Sequence, residues 1–298
     1  MNSSPSSVPP EHPSGDAGEE FVRRVRNLPA VPAVVKRISA LARSEQASAA
    51  DIEEALKLDP ALVGKVIRLA NSAYVGIPRT VSSLHNAVVL LGLRRIHALA
   101  LGSSVLSAFR TVRSSSVVSL RNLHRHSVTT AMVAESIAKH IARYEELDHD
   151  EIFTAGLLHD IGTFALAGYA PEVLEEAVAG SRNGGIPFHA AEHHDTAHPV
   201  VGEALARHWR FPADLCEALR FHHEPGSCRT YGLMVAVVHV ADAMVHVLGF
   251  HCFEDETGPR FDDGAVASVR LPAERLKVIA EQTLEREEEV DSLVDFMG

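Results

Sequence analysis

The sequence predicts an all-α protein, and three observations carry that expectation. Apolar residues recur at helical spacing in almost every patterned segment, as at Ile52, Ala55 and Leu56, which lines one face of a helix. No run of alternating apolar and polar residues is long enough to line one face of a sheet. Helix punctuation is also frequent. Asp148 with Glu151 has the form of a capping box, and Pro199, Pro212 and Pro272 each suit a first helical turn, where the missing N–H is no loss. Asn183-Gly184-Gly185 and Glu224-Pro225-Gly226 read as loops between such elements.

Taken in order, Met1 to Glu20 is rich in Ser, Pro, Gly and acidic residues and lacks a basic region followed by an apolar run. It does not read as a signal peptide, and a disordered tail is expected. Residues 21–253 form the folded body. Its first lobe, residues 21–112, has ordinary core periodicity and no cluster of ligand-type side chains. Arg113-Ser114-Ser115-Ser116 reads as a short connection or a helical continuation, and the second lobe, residues 113–253, carries the chemistry. Within it Leu233 to Phe250 is apolar enough to raise a membrane span, but His239, Asp242 and His246 interrupt it. A carboxylate there would be costly in lipid, so a buried helix is expected. Residues 254–298 read as an acidic exposed loop, ending at Asp262-Asp263-Gly264, and an amphipathic, Glu-rich C-terminal helix with a solvated charged face.

With 298 residues and 46% hydrophobic content the chain can bury a sizeable core as one large domain or two lobes. A formal net charge of -11 opposes nonspecific attraction to nucleic acid or anionic membrane, so neither is an expected partner. Arg94-Arg95, beside a Gly-containing helix connection, is the feature that would argue for a helix-turn-helix reader. Three cysteines, Cys216, Cys228 and Cys252, form no C-x-x-C pair and no disulfide framework, which points to a reducing cytoplasm.

Seven residues of ligand type, His126, His159, Asp160, His198, His222, His223 and Asp242, are strung along the second lobe. One helix offers only one or two donors at a usable angle, so a metal cage must gather them from several. Adjacent residues on a helix point about 100° apart, so His159 and Asp160 can share a metal only near a helix end, which Gly162 makes available. Each residue alone has a structural reading: a core histidine for His126, a helix cap for His198, a surface dipeptide for His159-Asp160. His222 shares a face with Leu215, Ala218 and Leu219 and should point inward. Asp242 lies among Val, Ala and Met, where an unpartnered carboxylate costs several kcal/mol, so it needs a cation, either a metal or an arginine from another helix.

Those seven in that order resemble the HD phosphohydrolase superfamily, and further motifs narrow the resemblance to its HDOD branch over about Phe21 to Phe250. In the first lobe these are Leu28-Pro29-Ala30-Val31-Pro32, Asp59-Pro60-Ala61-Leu62 leading to Leu69-Ala70-Asn71-Ser72-Ala73-Tyr74, and Ala87 through Arg95. In the second they are Gly156-Leu157-Leu158-His159-Asp160-Ile161-Gly162, His198-Pro199-Val200-Val201-Gly202, Trp209, Pro212 and His222-His223-Glu224-Pro225. The resemblance implies a two-lobed helical HDOD fold, with the N-terminal lobe packed on an HD-like lobe, and bacterial cytoplasmic signalling through a protein partner. Carried over from the related HD-GYP phosphodiesterases, it implies metal-ligand roles for all seven residues, with Asp160 bridging two divalent ions. Asp160 is also the catalytic residue if the protein is an enzyme. Imidazole and carboxylate without thiolate favour iron or manganese, and the neutral amide of Asn122, one turn before His126, favours two metals over three.

Two departures bear on activity. The lysine that commonly follows the His-Asp motif in HD-GYP enzymes is replaced by Thr163, which supplies no charge for a phosphate. Pro225-Gly226-Ser227-Cys228 stands where a Gly-Tyr-Pro loop would be. Hydrolysis of cyclic di-GMP is therefore not expected. The leading expectation is a regulatory module, with a nucleotide as a candidate ligand; the alternative is a metal-dependent phosphohydrolase acting on a nucleotide or cyclic nucleotide.

Overall fold

The computed structural model describes residues 15–24, 31–42, 44, 46–78, 80–109, 118–141, 147–254 and 257–298, and every regular element among them is helical. The first part comprises α1 (Gly15–Arg24), α2 (Ala33–Ala42), α3 (Ala49–Leu56), α4 (Pro60–Ala70), α5 (Leu84–Leu91) and α6 (Leu93–Ser107). The second comprises α7 (Leu120–Ile141), α8 (His149–Leu158), α9 (Ile161–Tyr169), α10 (Pro171–Gly184), α11 (Phe188–Ala191), α12 (His198–His208), α13 (Ala213–Phe221) and α14 (Gly232–Val247). Three helices close the chain: α15 (Asp263–Val269), α16 (Ala273–Glu285) and α17 (Glu287–Met297).

Local chemistry sets many of the starts. Ser48 and Asp51 complete a reciprocal capping box on α3, and Asp59 accepts from the N–H groups of Ala61 and Leu62 at the head of α4, with Pro60 at its first position. Asp148 caps α8 by accepting from Asp150 and Glu151. Pro212 and Pro272 stand immediately before α13 and α16, and Pro199 lies in the first turn of α12.

One apolar cluster runs through both lobes. It joins Ile38, Leu56 and Leu69 to Leu123, Phe164 and Leu219 and reaches Met297 at the end of α17. Helix α6 forms the shared wall, with Ile96, Leu99 and Leu106 fully buried. At its start Arg95 is buried, pairs with Glu135 of α7 and, at 2.9 Å, with Asp150 of α8, and lies over the Phe153 ring. Arg94 pairs with Asp148. Both arginines that would argue for a nucleic-acid reader thus engage acidic groups of the second lobe. A second cluster, with Ile137, Val237, Val240 and Ile279, packs α7 and α14 against α15 and α16.

The structure departs from expectation at both ends. The tail expected to lack structure through Glu20 carries α1 from Gly15 onward, which packs on α12 and contributes half-buried Phe21 and Val22 to the core. Periodicity over so short a stretch was hidden by its charged residues. At the other end Asp262 caps α15 rather than lying in an open loop, and the single expected C-terminal helix is three: Arg270 takes a left-handed conformation (φ 53°) and Pro272 restarts the chain between α15 and α16, and Arg286 (φ −102°, ψ 28°) interrupts it between α16 and α17. The loop expected at Asn183-Gly184-Gly185 shrinks to Gly185, since α10 runs on through Gly184. Residues 1–14, Leu28 to Ala30, Arg113 to Ser116, and Asp255 with Glu256 lie outside the described residues. The apolar stretch around Asp242 is the buried helix α14, and no single helix among the described residues is long and apolar enough to cross a membrane.

Candidate metal centre

All seven sequence-predicted ligands converge on one buried cluster. Helix α7 supplies His126 from its second turn. His159 and Asp160 form the joint between α8 and α9: His159 is still helical, while Asp160 (φ −96°, ψ 18°) breaks the helix so that both side chains turn inward. His198 opens α12, His222 and His223 follow the end of α13, and Asp242 lies in the middle of α14. Two glycines make the approach possible. A Cβ on Gly156 would lie 2.9 Å from Ala131 Cα, so its absence lets α8 meet α7. A Cβ on Gly162 would lie 1.9 Å from the His198 carbonyl oxygen, so only glycine lets α12 bring His198 up to Asp160.

The second nitrogens of four imidazoles are tied down. The Nδ1–H groups of His126, His159 and His222 donate to the carbonyls of Phe250, Gly156 and Leu219 at 2.8, 2.7 and 2.9 Å. His198 Nδ1–H donates to Glu192 Oε2 at 2.6 Å, and Glu192 Oε1 accepts from the His198 backbone N–H at 2.8 Å. Such bonds fix the tautomer and aim Nε2 inward as the donor to a metal. Glu192 therefore caps α12 and orients His198 with one carboxylate.

The Nε2 atoms then crowd together: His126 and His159 are 3.3 Å apart, His198 and His222 3.1 Å, and His223 and His198 3.2 Å. Donor nitrogens on one ion with bonds of about 2.0–2.1 Å stand about 3.0–3.4 Å apart, so these spacings suit donors that share an ion. Asp160 lies between two groups. Its Oδ1 is 3.2 Å from His198 Nε2 and 3.7 Å from His222 Nε2, whereas Oδ2 is 3.8 Å from His126 Nε2 and 3.6 Å from His159 Nε2. Asp242 faces the second group, with Oδ1 3.2 Å from His126 Nε2 and 3.9 Å from His159 Nε2, and its Oδ2 is 3.7 Å from His223 Nδ1. Both oxygens of Asp242 are buried without a hydrogen-bond donor of acceptable geometry, and its charged neighbours among the described residues are imidazoles rather than an arginine. An orphaned buried carboxylate beside aimed imidazole lone pairs fits a divalent cation.

Electrostatics agree with that fit. Burial, reinforced by neighbouring imidazoles, holds His222 and His223 well below the ordinary histidine range, and burial also lowers His159, so these rings are neutral and ready to bind. Burial opposes charge on Asp160 and Asp242, but the surrounding imidazoles outweigh it and keep both well below the usual carboxylate range. His198 is the exception. Burial disfavours its charge, yet the Glu192 and Asp160 carboxylates raise it to about 10.

Several participants carried no sequence signal strong enough to single them out. Glu192 sits in a loop, outside any periodic pattern. His246 lies one turn beyond Asp242, with Nδ1 3.0 Å from Asp242 Oδ1, and its ring meets His126 edge-on. His239, on the same face of α14, donates from Nδ1 to the His222 carbonyl and accepts from the Asp262 N–H, joining α13 to the cap of α15. His189 stacks on His223 with ring centroids 4.1 Å apart. Cys252, buried, directs its thiol to Asp160 Oδ2 at 3.5 Å. Asn122 is half-buried, with its backbone N–H on Ser119 Oγ.

Comparison with known proteins agrees with the architecture. An HDOD domain protein of Geobacter sulfurreducens superposes with a TM-score of 0.78 at 24% identity, over 95% of this chain and 97% of that one. A candidate signal transduction protein of Marinobacter aquaeolei gives 0.80 at 19% identity, over 94% and 64%. A candidate phosphohydrolase of Shewanella amazonensis gives 0.71 at 22% identity, over 95% and 99%. These likenesses show a shared helical fold. In sequence, a protein of Treponema pallidum is 25% identical over 228 residues, 76% of this chain, which spans only 43% of that protein. The HDOD domain profile matches residues 28–225, taking in every predicted ligand except Asp242. That match covers most of the chain, and the protein belongs to the HDOD domain family.

Proposed function

We propose that the protein is a bacterial cytoplasmic signalling module: a helical platform that acts through contact with a protein partner and is braced by two divalent metal ions, iron or manganese. The observation that carries this reading is the closure of the ligand cluster. The cavity beside it has a volume of about 10 Å³ and is walled by Phe188, Cys252, Phe253, Thr257 and Pro259 together with the ligands. That is room for about one water molecule, far less than a nucleotide needs. Thr163, at the position where HD-GYP enzymes carry a lysine, is itself buried and does not line the cavity. The two proposed metal positions are the His126, His159, Asp160 group, which Asp242 faces at 3.2 Å from His126, and the Asp160, His198, His222, His223 group, with Asp160 common to both. Bound there, the ions would supply positive charge and Lewis acidity, and the chain's own part is to hold the donors and exclude water.

A metal-dependent phosphohydrolase acting on a nucleotide or cyclic nucleotide is the second reading. It is favoured by the way the two Asp160 oxygens face separate histidine pairs, which suits a dinuclear clamp. The test is incubation of anaerobically purified, metal-loaded protein with cyclic di-GMP and a panel of nucleotides. The platform reading expects no turnover above the metal-free control. Efficient hydrolysis that disappears in Asp160→Ala would overturn it in favour of the hydrolase.

A further inference from the structure

A second cavity, of about 210 Å³, lies between α4 and α17 and shares no residue with the metal cluster. Lys65, Arg68 and Ser72 line it from the α4 side, and Ser292, Asp295 and Phe296 from α17. Lys65 and Arg68 stand one turn apart on α4, and Ser72 follows its end. Arg68 is exposed and makes no ion pair among the described residues. Lys65 is held at the wall: its Nζ donates to Ser103 Oγ at 3.1 Å and lies 5.9 Å over the Phe296 ring. The hydroxyls of Ser72 and Ser292 give their protons to the carbonyls of Leu69 and Glu288, both at 2.8 Å, so each offers lone pairs to the cavity. Asp295 adds a carboxylate whose nearest cation, Arg121, is 4.0 Å away.

The walls therefore differ in kind. Two cations supply donors for an anion, while two hydroxyl oxygens and a carboxylate accept from neutral donors. A bare anion satisfies only the first set, and a neutral polyol only the second. We propose that this cavity binds a small hydroxylated organic phosphate of the sugar-phosphate class, its phosphate on Lys65 and Arg68 and its hydroxyls on Ser72, Ser292 and Asp295. Its occupant bridges the first lobe to α17, which is itself tied to the metal-bearing helix α7 through Arg121–Asp291 and Arg125–Glu287.

Isothermal titration of the full chain with ribose 5-phosphate, ribose and inorganic phosphate tests the assignment. Saturable binding of ribose 5-phosphate is expected, with each fragment about tenfold or more weaker because it loses one set of contacts. Arg68→Ala, at an exposed position, should weaken ribose 5-phosphate about tenfold, and Asp295→Asn, which leaves a weaker acceptor for hydroxyls and removes a negative charge beside the anion, should shrink the preference for ribose 5-phosphate over inorganic phosphate. Absence of saturable ribose 5-phosphate binding to the wild-type chain, undiminished affinity in Arg68→Ala, or phosphate binding as tightly as the sugar phosphate would each overturn the proposal.

Discussion

Replacing Asp242 by Leu separates a metal ligand from a structural ion-pair partner. Asp242 is 1% exposed, and among the described residues neither of its oxygens has a hydrogen-bond donor of acceptable geometry. Its close partners are imidazole rings, those of His126, His159, His223 and His246, rather than a lysine or arginine. Leu should therefore leave no stranded cation, and the metal-free variant should fall well short of the loss of about 3–5 kcal/mol that a broken buried ion pair causes. Metal is a different matter. An ion present at a thousand times its dissociation constant stabilises the wild-type fold by about 4 kcal/mol, which in a chain of this size raises the melting temperature by about 8–16 °C. The variant should lose most of that increment along with bound metal. The assay is thermal unfolding of anaerobic metal-loaded and metal-free protein, paired with elemental analysis. A variant that keeps the full metal complement and the full shift would refute the ligand assignment, and a large loss confined to the metal-free variant would point to a structural ion pair instead.

Glu192→Gln leaves one acceptor oxygen for the two N–H groups that Glu192 holds, so His198 is less firmly oriented and metal affinity, compared at a pH where His198 is deprotonated, should fall about 10–100-fold by competition with a chelating dye, and an unchanged affinity would remove Glu192 from the centre. Because the free-state His198 is raised to about 10, binding must expel its proton. Metal affinity should then rise about tenfold per pH unit from neutrality, or about 1.4 kcal/mol each, and level off near pH 10; calorimetry in buffers of different ionisation heat counts the proton, and a flat profile contradicts it. Gly162→Ala would place a methyl group 1.9 Å from the His198 carbonyl oxygen, so urea unfolding should show a loss of about 1–3 kcal/mol or more together with weakened metal binding, and wild-type behaviour would mean that the helices part at no cost.

Much of this centre was legible because its donors are of unusual type for their settings. A carboxylate among valines and alanines at Asp242 asks for a cation from sequence alone. A His-Asp pair followed closely by glycine asks for a helix end, which the α8–α9 joint supplies. What sequence does not show is how the donors are held. Three of the orienting bonds run to backbone carbonyls, which leave no trace in residue identity. Glu192 comes from a segment without periodicity, and its use depends on a loop bringing it onto the first turn of α12. His246 could have been read one turn after Asp242, but a histidine in an apolar helix commonly serves packing alone. The start of α1 was hidden because its apolar face is short, and only contact with α12 reveals its burial. Closure of the site depends on Phe188 and Phe253 meeting across a distance in sequence, with ring centroids 4.8 Å apart.

The signalling reading rests on the proposed dinuclear centre bridged by Asp160. Anomalous diffraction from crystals grown anaerobically with manganese, measured to locate the ions, tests it most directly. Two peaks are predicted, one bounded by His126, His159 and Asp242, the other by His198, His222 and His223, with Asp160 between them. A fully loaded crystal with no peak at these residues, or with a single ion that leaves Asp160 to one side, would rule out a bridged pair.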